Sequence, residues 1–176
     1  MAQFVTFRLK HMLCGINIYL VREFNKYNKY TPIPLAPDFI VGFLNLRGKI
    51  VTIIDLAQRI GVVKREGGRL YSDKDVDIVY ENKDNLKNLI LKTDEEIEPL
   101  REKGWINTHL LNDNVGFLVD SIEDVIEIDP EQIQPPPANL QAGEQFISGV
   151  VELDNDLLIL LDVESILDFA PKEQRR

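Results

Sequence analysis

Apolar residues along this chain fall into short runs, most with strand character. Phe4 to Leu9 reads Phe-Val-Thr-Phe-Arg-Leu, and Cys14 to Leu20 sets Ile16, Ile18 and Leu20 at period two. Both are expected as strands, with Lys10-His11-Met12 turning a hairpin between them. Val21 to Tyr30 is polar and aromatic and leads into Thr31-Pro32-Ile33-Pro34-Leu35-Ala36-Pro37. Prolines at 32, 34 and 37 forbid a helix or an interior strand and predict an extended connector. Two apolar runs, Phe39 to Leu46 and Ile50 to Ile54, flank Arg47-Gly48-Lys49, a hairpin turn signal. Asp55 to Gly61 predicts a short helix, with Asp55 as N-cap and Gly61 as stop.

Between Lys64 and Lys103 the pattern changes. This stretch holds 9 basic and 11 acidic residues and only scattered large apolar groups, and it reads as a long surface excursion. Asp77 to Tyr80 is a possible strand within it, and Asp94 to Lys103 a series of helical turns that Pro99 argues against joining into one helix. Order resumes at Trp105 to Leu111, where His109 is expected in a strand. Val115 to Asp120 is a strand, and Ile122, Val125, Ile126 and Ile128 continue an apolar series up to Gln134-Pro135-Pro136-Pro137. Phe146 to Leu153 and Leu157 to Leu161 form a hairpin about Asp154-Asn155-Asp156, and Asp162 to Phe169 a closing helix.

Two stretches share one layout. Phe39-Ile40-x-Gly42, an apolar run and Ile54-Asp55-Leu56 recur as Phe146-Ile147-x-Gly149, a run and Leu161-Asp162-Val163, at an offset of 107 residues. A proline connector precedes each copy, and further upstream Gly15-Ile16-x-Ile18 matches Gly116-Phe117-x-Val119 more loosely. One such set of short strands leaves an apolar face and raw edges. Closure or stacking against a second copy are the usual solutions, so the expected architecture is two small β-barrels sharing a border.

Composition and charge narrow the function. The 176 residues are 44% apolar and 28% charged, ample for a folded core. A formal charge of −9 argues against a general nucleic-acid binder or a protein docked on an anionic membrane. The excursion nearly cancels its own charge, so the excess lies in the barrels and termini. No apolar run approaches the length of a membrane span, and MAQFVTFRL does not read as a secretion signal. A lone cysteine, Cys14, excludes an internal disulfide framework and suits a reducing cytoplasm.

Candidate chemistry is sparse. His11 and His109 lie far apart, and no Cys-x-x-Cys or His-x-x-x-His pair supports zinc. Cys14 flanks an apolar strand and reads as buried and inert. There is no phosphate loop and no Gly-x-Ser-x-Gly elbow. The run Asp94, Glu95, Glu96 and Glu98 reads as a solvated face, and Asp55 and Asp162 as a duplicated helix cap. Arg47 stands out, because the second copy carries Asp154 in its place. Its guanidinium can bond across the border of the two halves, reach a partner, or face solvent from the turn.

Phe39-Ile40-x-Gly42-x-x-Asn45-Leu46-Arg47-Gly48-Lys49-Ile50 with Ile54-Asp55-Leu56 resembles the signature of the CheW-like coupling proteins of bacterial chemotaxis. Val115 to Asp120, Ser121-Ile122-x-x-Val125, the triple proline and Phe146-Ile147-x-Gly149 with Ile159 to Asp162 complete the pattern, over about 3–63 and 104–168. The resemblance implies an all-β fold of two intertwined five-stranded SH3-like barrels forming a single domain over 1–176. Subdomain one would take 15–63 and 104–115, subdomain two 116–165 and strand 3–10, with 64–103 as an insertion. It implies a cytoplasmic, non-enzymatic adaptor without cofactor or metal, recruited to membrane receptor arrays and monomeric alone. The partners would be methyl-accepting chemotaxis receptors, whose helical tip is held in an apolar groove, and the regulatory domain of a CheA-like histidine kinase, docked barrel to barrel. Carried over by motif, Ile33, Pro34, Asn45, Leu46, Arg47 and Val119 form the receptor-binding or junction region, and Phe43, Gly48, Lys49 and Ile53 the kinase-binding surface. Thr52 stands where the family often has proline, which a strand tolerates. The alternative reading is a CheW-like adaptor of a non-chemotactic kinase pathway.

Overall fold

The computed structural model describes residues 1–63, 86–138, 140 and 143–169. The expected strand at Asp77 to Tyr80 lies outside them. The first half of the chain carries β1 (Ala2–Leu9), β2 (Met12–Asn17), β3 (Val21–Asn25), β4 (Ile40–Leu46), β5 (Lys49–Asp55) and helix α1 (Leu56–Arg59). The second carries β6 (Lys87–Leu91), helix α2 (Asp94–Glu102), β7 (Val115–Val119), β8 (Ser121–Ile128), β9 (Ile147–Leu153), β10 (Asp156–Leu161) and helix α3 (Val163–Leu167).

These strands form two five-stranded mixed sheets, ordered β8-β1-β2-β10-β9 and β3-β6-β7-β5-β4. The halves are exchanged. The first sheet takes the opening strands β1 and β2 from the first half and β8, β9 and β10 from the second, and the other sheet takes the converse set. The halves meet twice in each sheet, at an antiparallel pair (β1 with β8, β3 with β6) and at a parallel pair (β10 with β2, β5 with β7). Residues 64–103, expected as an insertion, therefore include a strand of the second sheet, β6.

Exchange explains why the apolar runs of the inner strands are continuous rather than alternating: strands such as β2, β7 and β10 are covered on both faces. Val5, Phe7 and Leu9 of β1, Ile54 of β5, Phe117 and Val119 of β7 and Ile159 of β10 face a central core between the sheets. The opposite faces bury Leu44, Val51, Ile53, Ile90 and Leu118 in one sheet and Leu13, Val151, Leu158 and Leu160 in the other. Each fully buried side chain of this size contributes about 1.5–3 kcal/mol.

Neither sheet closes into a barrel, contrary to the expectation of two five-stranded SH3-like barrels. The outer strands β8 and β9, like β3 and β4, do not pair with each other. Each of β4 and β9 instead meets a single bridge from a proline connector, Thr31 to Phe43 and Gln134 to Val150. The next residues, Pro32 and Pro135, have no N–H to extend a ladder. The repeated glycines make these bridges possible. A Cβ on Gly42 would lie 2.4 Å from the Thr31 carbonyl oxygen, and one on Gly149 would lie 2.6 Å from Ile133 Cγ2 and 3.0 Å from the Gln134 oxygen.

Asp55 and Asp162 cap α1 and α3, accepting from Gln58 N and Ser165 N at 3.3 Å. The amides of these two aspartates donate in turn to the Phe39 and Phe146 carbonyls, at 2.7 and 2.8 Å. Helix α2 is continuous through Pro99. The missing hydrogen bond is offset by a Thr93–Glu96 capping box, burial of Ile97 and a bidentate Arg101–Asp94 pair. His109 lies outside any strand, because side chains satisfy the backbone there: its amide donates to Glu164, and that of Leu110 to Asp94 at 2.8 Å.

Gly42→Ala is expected to destabilise the fold by roughly 3 kcal/mol, through overpacking against Thr31 and backbone strain. Gly48→Ala, at a positive φ of 82° in open space, should cost only about 1 kcal/mol. Urea unfolding of the two variants checks the ranking.

Candidate functional site

The Asn-Leu-Arg-Gly motif is first of all a turn. Leu46 pairs with Lys49, leaving Arg47 and Gly48 as a two-residue loop with φ values of 51° and 82°. Asn45 Oδ1 accepts from Gly48 N at 3.1 Å and fixes the turn from within. Arg47 projects from the tip and donates to Glu23 of β3. Since β3 and β4 are opposite edges of their sheet, this exposed pair ties the two edges together. Beneath it the buried Asn88 amide donates to Asn25 Oδ1 at 2.8 Å and to the Tyr27 carbonyl at 2.7 Å. Tyr30 donates its hydroxyl to Asn88 Oδ1 at 2.8 Å, and burial pushes its pKa to about 12.

Arg47 thus bonds within one sheet, whereas Arg59 ties helix α1 of the first half to helix α3 of the second. Arg59 sits at the end of α1 and donates to the Ile166 carbonyl at 2.8 Å and to the Ser165 and Asp168 carbonyls at 3.4 Å, capping α3. Its guanidinium lies 5.0 and 4.7 Å from the ring centres of the repeated Phe39 and Phe146. Burial lowers its pKa from the usual arginine value while Asp168 raises it. A signal was present: Arg59 aligns with Ile166 at the repeat offset, a charged residue opposite an apolar one.

The residues carried over by motif divide by exposure. Pro34, Asn45, Arg47, Gly48 and Lys49 are exposed, and Ile33 and Phe43 half-buried. Leu46, Ile53 and Val119 are buried, at 5%, 0% and 1% exposure. The β4 edge of the second sheet gathers Phe43 to Lys49 beside the connector that carries Ile33 and Pro34, whereas Val119 lies inside the central core. Several exposed apolar residues were not singled out by sequence: Leu35, Ile50, Phe24 and Trp105. Cys14 is buried, and loss of solvation pushes its pKa to about 12, so its thiol stays protonated. Among the described residues no group of three or more His, Cys, Asp or Glu is placed to hold a metal ion, and no helix is long and apolar enough to cross a membrane.

The chain is thus a duplicated two-sheet fold in which the motif side chains Asn45 and Arg47 fix a turn and join two sheet edges. The CheW-like domain family matches residues 3–170, and the chain belongs to it. It is 29% identical over 175 residues to the chemotaxis protein CheW of Treponema pallidum, covering 99% of this chain and 85% of that one. It is 31% identical over 166 residues to the chemotaxis protein CheW of Klebsiella aerogenes, covering 94% of this chain and 81% of that one. The crystal structure of the scaffolding protein TtCheW from Thermoanaerobacter tengcongensis superposes with a TM-score of 0.71 at 28% identity, covering 99% of this chain and 91% of that one.

Two outcomes are expected. Ile53→Ala should cost about 2–5 kcal/mol in denaturant unfolding, as a buried core residue does. Asp94 loses solvation on folding, which favours its neutral form, but the Leu110 amide and Arg101 outweigh this and hold its pKa below the ordinary 3.8. Its stabilising contribution is therefore present above that value and lost as pH falls through the lower folded one. Asp94→Asn should flatten that part of the acid limb of a stability–pH curve.

Proposed function

We propose that this protein is a non-enzymatic chemotaxis adaptor, working in the cytoplasm, that holds chemoreceptor tips and a CheA-like histidine kinase together. The observation that carries the reading is the extent of the family match, which takes in both sheets and both copies of the repeat. Relatives named chemotaxis protein CheW align with nearly the whole chain, and the structural relative TtCheW is a scaffolding protein. An adaptor needs surface that keeps its shape, and the motif residues supply it through a pinned turn and a sheet whose inner strands are buried on both faces.

In this reading the exposed residues make the contacts and the buried ones hold them. Pro34, Asn45 and Arg47, with half-buried Ile33, meet the receptor tip, apolar side chains as anchors and polar ones setting register. Phe43, Gly48 and Lys49 meet the regulatory domain of the kinase. Leu46, Ile53 and Val119 act from inside, by shaping the strands that carry the others. Glu23 holds Arg47 in place until a partner's acceptor competes for it.

Co-precipitation with a purified receptor cytoplasmic fragment and with the kinase regulatory domain tests the assignment. Wild type should retain both. Arg47→Ala removes an exposed ion pair, worth about 1 kcal/mol or less to folding, yet should lower retention of a partner by about tenfold, an interface contact of at least 1.4 kcal/mol. Retention of the kinase alone would point to a different input, and equal loss of stability and binding would make Arg47 structural.

A further inference from the structure

Helix α2 and the turn after it build a surface that the motif residues do not include. Trp105 is the single tryptophan of the chain and is 55% exposed. It stacks on Tyr19, itself 38% exposed, with ring centres 5.8 Å apart and planes at 25°. Lys103 Nζ sits 4.7 Å from the centre of the indole. Two large aromatic side chains stacked on each other in water, from positions 86 residues apart, make a rigid apolar platform, the kind of surface that hot spots are made of.

The platform is firmly mounted. The Trp105 amide donates to the Leu100 carbonyl at 3.0 Å, closing the end of α2. The helix is tied to β3 by an ion pair from Arg22 to Glu96, and to the following segment by Arg101 donating to the Thr108 carbonyl at 3.2 Å and the Leu110 amide donating to Asp94 at 2.8 Å. Tyr19 lies in the short turn that leads into β3. Two features indicate what it meets. Glu95, Glu98 and Glu102 are exposed at helical spacing along α2, so one stripe of negative charge runs to the turn that bears Trp105. And β3 is shared: Arg22 faces α2 while Glu23 holds Arg47, so a single strand connects the platform with the proposed receptor contacts.

We propose that the Tyr19–Trp105 platform with the α2 glutamate stripe is a seat for the receptor's cytoplasmic tip, continuous along β3 with the contacts at Arg47. It takes an apolar side chain of the tip on the indole and a lysine or arginine of the tip against Glu98 and Glu102. The proposal rests on the adaptor reading and extends its receptor surface by one element.

Trp105 reports on its own occupancy. Full-length protein is titrated with a tryptophan-free receptor cytoplasmic fragment, following indole emission and calorimetric heat together, with the kinase regulatory domain in parallel. The receptor fragment should give a saturable blue shift and the kinase domain none. Trp105→Ala should weaken receptor binding about tenfold or more at an unchanged melting temperature, while Trp105→Phe, which keeps a ring, stays within about threefold. Calorimetric binding with unmoved emission and an unaffected Trp105→Ala variant would overturn the seat and leave the adaptor reading standing. A blue shift with the kinase domain instead would overturn the receptor as occupant, and no receptor binding by wild type would overturn seat and adaptor reading together.

Discussion

The inner strands of each sheet must keep both faces dry, and much of the structure follows from that requirement. A five-stranded sheet with apolar runs as long as Ile50 to Ile54 or Leu157 to Leu161 cannot offer either face to water without exposing several large side chains. The two halves answer by exchanging strands, so that one central core fills the space between the sheets and a smaller core fills the far face of each. Separation of the halves would break the β1–β8 and β3–β6 pairs and the parallel seams as well as the core. Arg59 is placed where this matters, its guanidinium between the two repeated phenylalanines and its donors on the carbonyls that end α3.

The same economy governs the edges. An open sheet invites other strands to pair with it. Here a proline connector crosses each of two edges, makes one bridge and can make no ladder, and a glycine opposite it gives the connector room. The side chains left at the first of these edges are held by short local bonds: Asn45 on the turn, Glu23 on Arg47, Asn88 on the strand end and on Tyr30. Partners would meet a surface already ordered, which lowers the entropy lost on docking.

The repeat is legible in the sequence because β4, β5, β9 and β10 are long, apolar and bounded by turn residues, and because Asp55 and Asp162 serve as caps in both copies. The exchange of strands is not legible, since periodicity shows that a strand is buried but not which sheet receives it. For the same reason the chain suggests closed barrels: strand counts alone do not show that Pro32 and Pro135 stop the ladders. Edge strand β3 escapes notice because Arg22, Glu23 and Asn25 make it polar, and β6 because Asn88 to Leu91 lies inside a highly charged stretch. Of the site, Arg47 and its turn stand out by residue type, whereas Glu23, Arg59 and the Tyr19–Trp105 stack exist only through contacts between distant positions.

The chain belongs to the CheW-like family, and in the proposed reading these surfaces share one purpose, docking, with the fold holding positions and the exposed side chains choosing partners. The account stands or falls on coupling. The most direct measurement is autophosphorylation of a CheA-like kinase reconstituted with chemoreceptor, with and without this protein. The account predicts receptor-dependent control of kinase activity only when the protein is present. The same activity in its absence, or no response to receptor in its presence, would contradict it.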